Sequence, residues 1–246
     1  MEENFIPLSP DDTFSFSCTS CLTCFNECCR DLNQYLTPYD ILRLKNSLGI
    51  SSGMFLTKYA SYHTGPGSGL PVVTLKTDYG TGSICPFVTP SGCRVYKDRP
   101  SSCRIYPLAR LVSLNRESGK FSEYYMMLKE SHCFGFKDGR EHTVKEWIIE
   151  QDIEQYNRMN DMLMEIISLK NQTIPGELDI KSGYLFRTAL YDLDTFRAQL
   201  FSNKIQTDDF NKEEIKTAKQ DDTVLLKIAF SWVKQNLFIK SSSIDI

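Results

Sequence analysis

CTSCLTCFNECC, residues 18–29, places five cysteines in twelve positions. Thiolates are soft donors that suit zinc and iron–sulfur centres. The two-residue gaps of Cys18–Cys21 and Cys21–Cys24 let one loop wrap several thiolates around a single centre. Adjacent side chains diverge, so Cys28 and Cys29 either serve two metals or include one non-ligand. Cysteine is also a common buried hydrophobe. Five of them in so short and polar a stretch point instead to a fold organised by a metal centre.

The rest of the chain sharpens that expectation. The nine cysteines, at 18, 21, 24, 28, 29, 85, 93, 103 and 133, all precede a 113-residue remainder that has none. The first residues, MEENFIPLSPDD, lack the basic start and apolar core of a secretory signal, so a cytoplasmic location is expected. In that setting a cysteine-rich chain binds metal more often than it forms disulfides, and an odd count fits a closed disulfide framework poorly. With 41% hydrophobic and 24% charged residues, the composition is that of a soluble globular protein and excludes wholesale disorder. The formal net charge of −3 gives no reason to expect nucleic acid as a partner. No run of 18 apolar residues occurs, so no membrane span is expected.

A second group of thiols lies in CPFVTPSGCRVYKDRPSSCRIYPL, residues 85–108, where Cys85, Cys93 and Cys103 are separated by seven and nine residues. Pro86, Pro90, Gly92, Pro100 and Pro107 break the stretch into turns that can aim dispersed thiols at one point. Arg94, Lys97, Arg99, Arg104 and Arg110 outnumber the single acid, Asp98. Such a cationic surround either stabilises thiolates and an anionic cluster or forms ordinary ion pairs. Cys133, beside His132 and before a glycine turn, is a plausible last ligand. His63, His132 and His142 are weaker candidates, because a lone histidine is usually structural.

These blocks resemble the YkgJ-like cysteine-cluster proteins, a family described as zinc- or iron-chelating and known by a CxxCxxCC pattern. The resemblance rests on CFNECCRDLNQYLTPYDILRLKNSLGISSGMFLTKY, then the 85–108 block, then CFGFKDGREHTVKEW. It runs over about residues 14–150 with the blocks in family order. It implies Cys18, Cys24, Cys28, Cys29, Cys85, Cys93, Cys103 and Cys133 as metal ligands. Cys21 stands where the family often lacks a cysteine, and is left open between ligand and surplus thiol. Three residues separate Cys24 from Cys28, where the literal pattern has two.

Outside the cysteines, the pattern predicts an α+β fold. A small cysteine-ligated domain of short strands and helices, residues 1–142, is followed by a mainly helical region, 143–246. Thr37 and Pro38 read as a helix start, with Gly49 at its end. A second helix is expected over Ser52–Tyr59, and HTGPGSGLP (residues 63–71) reads as a loop. Strands are expected over Val72–Thr77, Ile84–Val88, Leu108–Leu114 and Phe121–Leu128. Thr143 and Glu146 form a capping-box pattern for a helix reaching Leu169, with a break allowed. Helices are expected near 185–202 and 212–239, where Val224, Leu225, Ile228, Ala229, Trp232 and Val233 make an apolar face. That face reads as packing surface first, and as a docking site for a protein partner second.

The functional expectation is a metal-binding protein with an iron–sulfur cluster as cofactor and a redox or electron-transfer role. Two alternatives come with it. One is a structural zinc module that presents an interaction surface. The other is a protein-modifying enzyme, since flagellin lysine N-methylases carry a similar cysteine cluster. No Gly-rich nucleotide loop follows a strand and no CxxxCxxC arrangement occurs, so no catalytic residues are assigned.

Overall fold

The computed structural model describes residues 4–77, 82–115, 118–202, 204–205 and 210–239. In chain order these form β1 (Asn4–Leu8), β2 (Thr13–Ser15), β3 (Tyr35–Leu36), α1 (Pro38–Leu48), α2 (Ser52–Tyr59), β4 (Ala60–Thr64) and β5 (Pro71–Leu75). There follow β6 (Val88–Thr89), β7 (Gly92–Cys93), α3 (Ser101–Ile105), β8 (Leu108–Leu114), β9 (Phe121–Lys129), β10 (Glu141–Thr143) and α4 (Val144–Glu150). The helices α5 (Glu154–Thr173), α6 (Ile180–Leu190), α7 (Leu193–Phe201), α8 (Lys212–Thr217) and α9 (Asp222–Val233) complete the order, and a π-helical segment, Lys234–Ile239, continues α9. The fold is α+β, with small sheets in the N-terminal half and helices dominating the C-terminal half.

The caps act where the sequence puts them. The Thr37 hydroxyl accepts from the Asp40 amide while the Asp40 carboxylate accepts from the Thr37 amide, and Gly49 closes α1 in the left-handed region. Thr143 and Glu146 make the same reciprocal box at the start of α4. The expected break before Leu169 falls between α4 and α5, where Asp152 takes a positive φ of 49°. Ile84–Val88 is not a strand. Ile84 makes only an isolated bridge, Pro86 sits inside a turn closed by the Val88 amide on the Cys85 carbonyl at 3.2 Å, and the next paired strand begins at Val88. The glycine loop is shorter than expected, because His63 and Thr64 pair with Val72 and Pro71 at the end of β4.

Tertiary contacts group the chain differently from a linear division at residue 142. One unit holds the residues up to Asn33 together with Thr77–Arg158. The other holds Gln34–Lys76 together with the residues from Met159 onward. All nine cysteines fall in the first unit. Its sheets are β1-β9-β8, β2-β10 and β6-β7, all antiparallel. A core of aromatic rings forms beside them. Phe16 meets Tyr106, Phe136 and Trp147 at centroid distances of 5.7, 5.1 and 5.7 Å.

The second unit joins the sheet β3-β5-β4 to α1, α2 and the C-terminal helices. Leu225, Ile228, Ala229 and Val233 are buried, and Trp232 packs edge-on against Phe196. Most of the predicted apolar face of α9 therefore serves this unit's own core. Lys45 is buried on α1, 2.8 Å from the Asp222 carboxylate and 3.5 Å from Asp194. Arg197 also reaches Asp222. The Ser52 amide donates to Asp194 at 2.7 Å, so α2 is anchored to the same acids. Among the described residues, no helix is long and apolar enough to cross a membrane.

Burial alone would raise the Asp222 pKa, but the Lys45 ammonium and Arg197 guanidinium hold it below the usual carboxylate value. A depressed acid stabilises the fold above its unfolded pKa, near 4, and that contribution fades as pH falls further. Asp222→Ala, which leaves Lys45 buried with weaker compensation, is expected to destabilise the protein by about 3 kcal/mol in urea unfolding at pH 7. Glu165→Ala, which breaks the more exposed pair with Lys234, should cost under about 1 kcal/mol. The difference between the two variants should narrow below pH 4.

Candidate metal centre

Four stretches of chain bring the thiols together, and the first is positioned by a sheet. β2 pairs with β10 so that Phe14 lies opposite His142. Beyond the ladder, the Phe16 amide donates to Arg140 O at 3.0 Å and the Ser17 amide to Gly135 O at 2.9 Å. The backbones approach closely here. A Cβ on Gly139 would lie 2.5 Å from Phe16 backbone atoms, and one on Gly135 would lie 2.6 Å from the Phe16 ring. The 133–140 loop is thus pressed onto the residues that lead into Cys18. The Phe134 amide extends this contact, donating to the Cys24 sulfur at 3.2 Å.

The cysteine run is a chain of tight turns, not a regular element. Leu22, Phe25 and Glu27 amides each donate back three residues, and Glu27–Cys29 forms a 3₁₀ turn after Asn26 in the left-handed region. Asn26 donates its side-chain amide to Thr89 O at 2.9 Å, and the Cys85 amide donates to Cys29 O at 2.9 Å. These bonds tie the run to the β6-β7 ribbon, in which Cys93 is opposite Val88. α3 then carries Cys103, and the Trp147 indole holds the end of α3 by donating to Ile105 O at 2.9 Å.

Electrostatics links all eight cysteines that the resemblance implies. Loss of solvent around the Cys18 thiol, followed by the thiols of Cys28, Cys133 and Cys24, pushes its pKa up to about 11. Cys29 is raised by its hydrogen bond to Cys28, then by burial, and then by the charges of Cys28, Cys85 and Cys103. Burial raises Cys85 and Cys93, with Cys93 and Cys28 adding to the effect on Cys85, and Cys28 to that on Cys93. Cys28 stands at the centre of this network and moves the other way. The Cys29 thiol donating to its sulfur holds it down at about 7. Cys21 is exposed and is not among the groups that act most on Cys18.

Donors favour the anionic sulfurs. The Phe87 and Val88 amides face the Cys85 sulfur, and the Val95 amide faces that of Cys93. Arg99 and Arg104 are buried, yet their hydrogen bonds go to neutral groups. Arg99 donates to the carbonyls of Tyr96 and Cys103 and to the Gln151 side chain. Arg104 donates to the Gln151 and Lys97 carbonyls, and its Nε has no hydrogen-bond partner among the described residues. Buried cations without acid partners beside several thiols suit an anionic metal–thiolate centre. Of the predicted cationic surround, these two arginines are the buried part.

Among the described residues, no three His, Cys, Asp or Glu side chains are placed to hold an ion as they stand. The centre is therefore a set of thiols in electrostatic reach of one another, not a closed coordination sphere. Its donor chemistry and the amides aimed at sulfur fit a thiophilic metal or cluster. The histidines do not add to it. His142 is buried, with Nε2 on Phe16 O at 3.2 Å, His132 lies 3.6 Å from Glu130, and His63 belongs to the second unit. Two polar groups escaped the sequence reading. Gln151, which serves both arginines, carries no local signal, and Tyr106 was visible only as part of CRIYPL.

Residues 20–134 match the family model described as "CxxCxxCC: Putative zinc- or iron-chelating domain". The match takes in every cysteine except Cys18 and supports a metal-binding role. No curated protein and no solved structure matches the chain.

In metal-free protein, alkylation of Cys28 is expected to rise through a midpoint near pH 7 and that of Cys18 through one near pH 11. Mass spectrometry after pH-resolved iodoacetamide pulses reads both. Gly139→Ala is expected to loosen the 133–140 loop and lower bound metal, whereas Gly183→Ala, whose Cβ meets nothing within 4 Å, should leave metal content unchanged.

Proposed function

We propose that this chain is an iron–sulfur protein whose cluster is held by thiolates chosen from Cys18, Cys24, Cys28, Cys29, Cys85, Cys93, Cys103 and Cys133, with a redox or electron-transfer role. The observation that carries the reading is the tie of the cysteine run to the other cysteine-bearing stretches: the Phe134 amide, next to Cys133, donates to the Cys24 sulfur at 3.2 Å, the Cys85 amide donates to Cys29 O at 2.9 Å, and Asn26 donates to Thr89 O in the ribbon that carries Cys93. Three further features support it. Amide hydrogen bonds to the sulfurs of Cys24, Cys85 and Cys93 are of the kind that set cluster potentials. Arg99 and Arg104 would balance the negative charge of a four-thiolate cluster. Cys18, Cys28 and Cys103 are exposed, which leaves the site near the surface, where an electron donor or acceptor can approach. When bound, such a cluster supplies a one-electron couple. The chain's own residues hold it, compensate its charge and limit solvent around it.

A structural zinc site is the second reading, because the matched family description names zinc as well as iron. A closed four-thiolate zinc site would make the fold of the cysteine-bearing unit depend on metal.

Protein purified without oxygen is expected to be brown, to contain iron and acid-labile sulfide, and to give a paramagnetic resonance signal in one redox state. Colourless protein with stoichiometric zinc would favour the second reading. Cys21→Ala should leave metal content unchanged, whereas Cys28→Ala and Cys103→Ala should lower it. Equal loss in all three would make Cys21 a ligand.

A further inference from the structure

We infer that Tyr106 is a positioning residue of the metal centre, its phenol donating a hydrogen bond to the Cys133 sulfur once that sulfur is a metal-bound thiolate. The inference rests on reading Cys133 as a ligand.

Tyr106 follows α3 directly and stands three residues after Cys103. Its ring meets Phe16 edge-on at 5.7 Å, and Phe16 is the residue onto which Gly135 and Gly139 press. The phenol is therefore held by the same contact that brings the Cys133 loop to the cysteine run. Its hydroxyl is buried and has no hydrogen-bond partner among the described residues, while the side chains of Cys133 and Glu130 lie against it. A buried hydroxyl without a partner is uncommon in a folded protein and calls for a reason.

Loading of the site would supply that reason. A thiol sulfur is a weak acceptor, whereas a thiolate is a strong one. Before metal binds, the phenol faces a poor partner. With Cys133 bound to metal as a thiolate, a charged acceptor stands beside a hydroxyl that is free to rotate toward it. Glu130 is the competitor, but it is 39% exposed and can be solvated, and it has His132 3.6 Å away. The half-buried Cys133 sulfur has less access to water. The adjacent Phe134 amide already donates to the Cys24 sulfur, so one short loop would place donors on two ligands. Hydrogen bonds of this kind orient ligands and raise metal affinity.

The test is an anaerobic titration of the full chain with cobalt(II), read by its thiolate-to-metal charge-transfer absorption. Wild type is compared with Tyr106→Phe, Glu130→Gln and Tyr125→Phe, whose buried phenol instead bonds Glu123 at 3.3 Å. Tyr106→Phe is expected to bind cobalt about tenfold more weakly and with a shifted band. Its metal-free melting temperature should not fall below that of wild type, because the hydroxyl removed is buried and has no hydrogen-bond partner among the described residues. Glu130→Gln and Tyr125→Phe should titrate as wild type does. Unchanged affinity and band in Tyr106→Phe would overturn the inference while leaving metal binding intact. So would an equal loss in Tyr125→Phe, which would mark general loosening, or in Glu130→Gln, which would assign the phenol to the carboxylate. A wild-type protein without any charge-transfer band would refute the ligand reading and this inference together.

Discussion

The close approach of the 133–140 loop to Phe16 and Ser17 is the contact on which the cysteine-bearing unit depends. It joins segments more than a hundred residues apart through two backbone hydrogen bonds, a short β ladder and two glycines that leave no room for a side chain. The loop that follows Cys133 is thereby bonded to Ser17, next to Cys18, and to the Cys24 sulfur. The aromatic core of Phe16, Tyr106, Phe136 and Trp147 forms on the same contact, so burial of apolar surface and assembly of the thiols reinforce each other.

Assembling so many thiols has an electrostatic consequence. Burial first, and neighbouring thiols second, push Cys18, Cys85 and Cys93 toward the protonated form, and Cys29 is pushed the same way by its hydrogen bond to Cys28 and then by burial. Cys28 alone among the shifted thiols is held down, at about 7, by the proton on its neighbour Cys29. The metal-free centre is thus a network of weak acids with one position poised to ionise near neutral pH. A metal ion reverses the balance by replacing protons, which couples loading to pH. Arg99 and Arg104 favour the same charged state from within the protein, since both donate their hydrogen bonds to neutral groups.

The second unit uses a different anchor. Lys45, Asp194, Asp222 and Arg197 connect helices α1, α7 and α9 through charge, and Ser52 adds α2. The chain leaves the cysteine unit after Asn33, supplies α1, α2 and the β3-β5-β4 sheet to the second unit, and returns at Thr77. The cysteine run and the 85–108 block are therefore separated by an excursion that carries no cysteine.

Local chemistry was legible in the sequence. The Thr37 N-cap, the Thr143–Glu146 capping box, the bounds of α1, α2 and β8, and the α+β class follow from side chains acting on their own backbone or from short-range apolar periodicity. The cysteine spacing likewise announced a thiophilic centre, because thiolate chemistry does not depend on what lies elsewhere in the fold. Pro86 defeated the strand expected over Ile84–Val88, since a turn needs only one hydrogen bond whereas a strand needs a partner that the sequence does not name. The same limit hid the division of the chain. Nothing local marks Gln34–Lys76 as belonging with the C-terminal helices, because that association is made by buried side chains far apart in sequence. The sequence by itself determined which atoms can bind metal. Only the tertiary structure decided that the Phe134 amide meets the Cys24 sulfur and that Gln151 serves both Arg99 and Arg104, because those meetings arise from long-range packing.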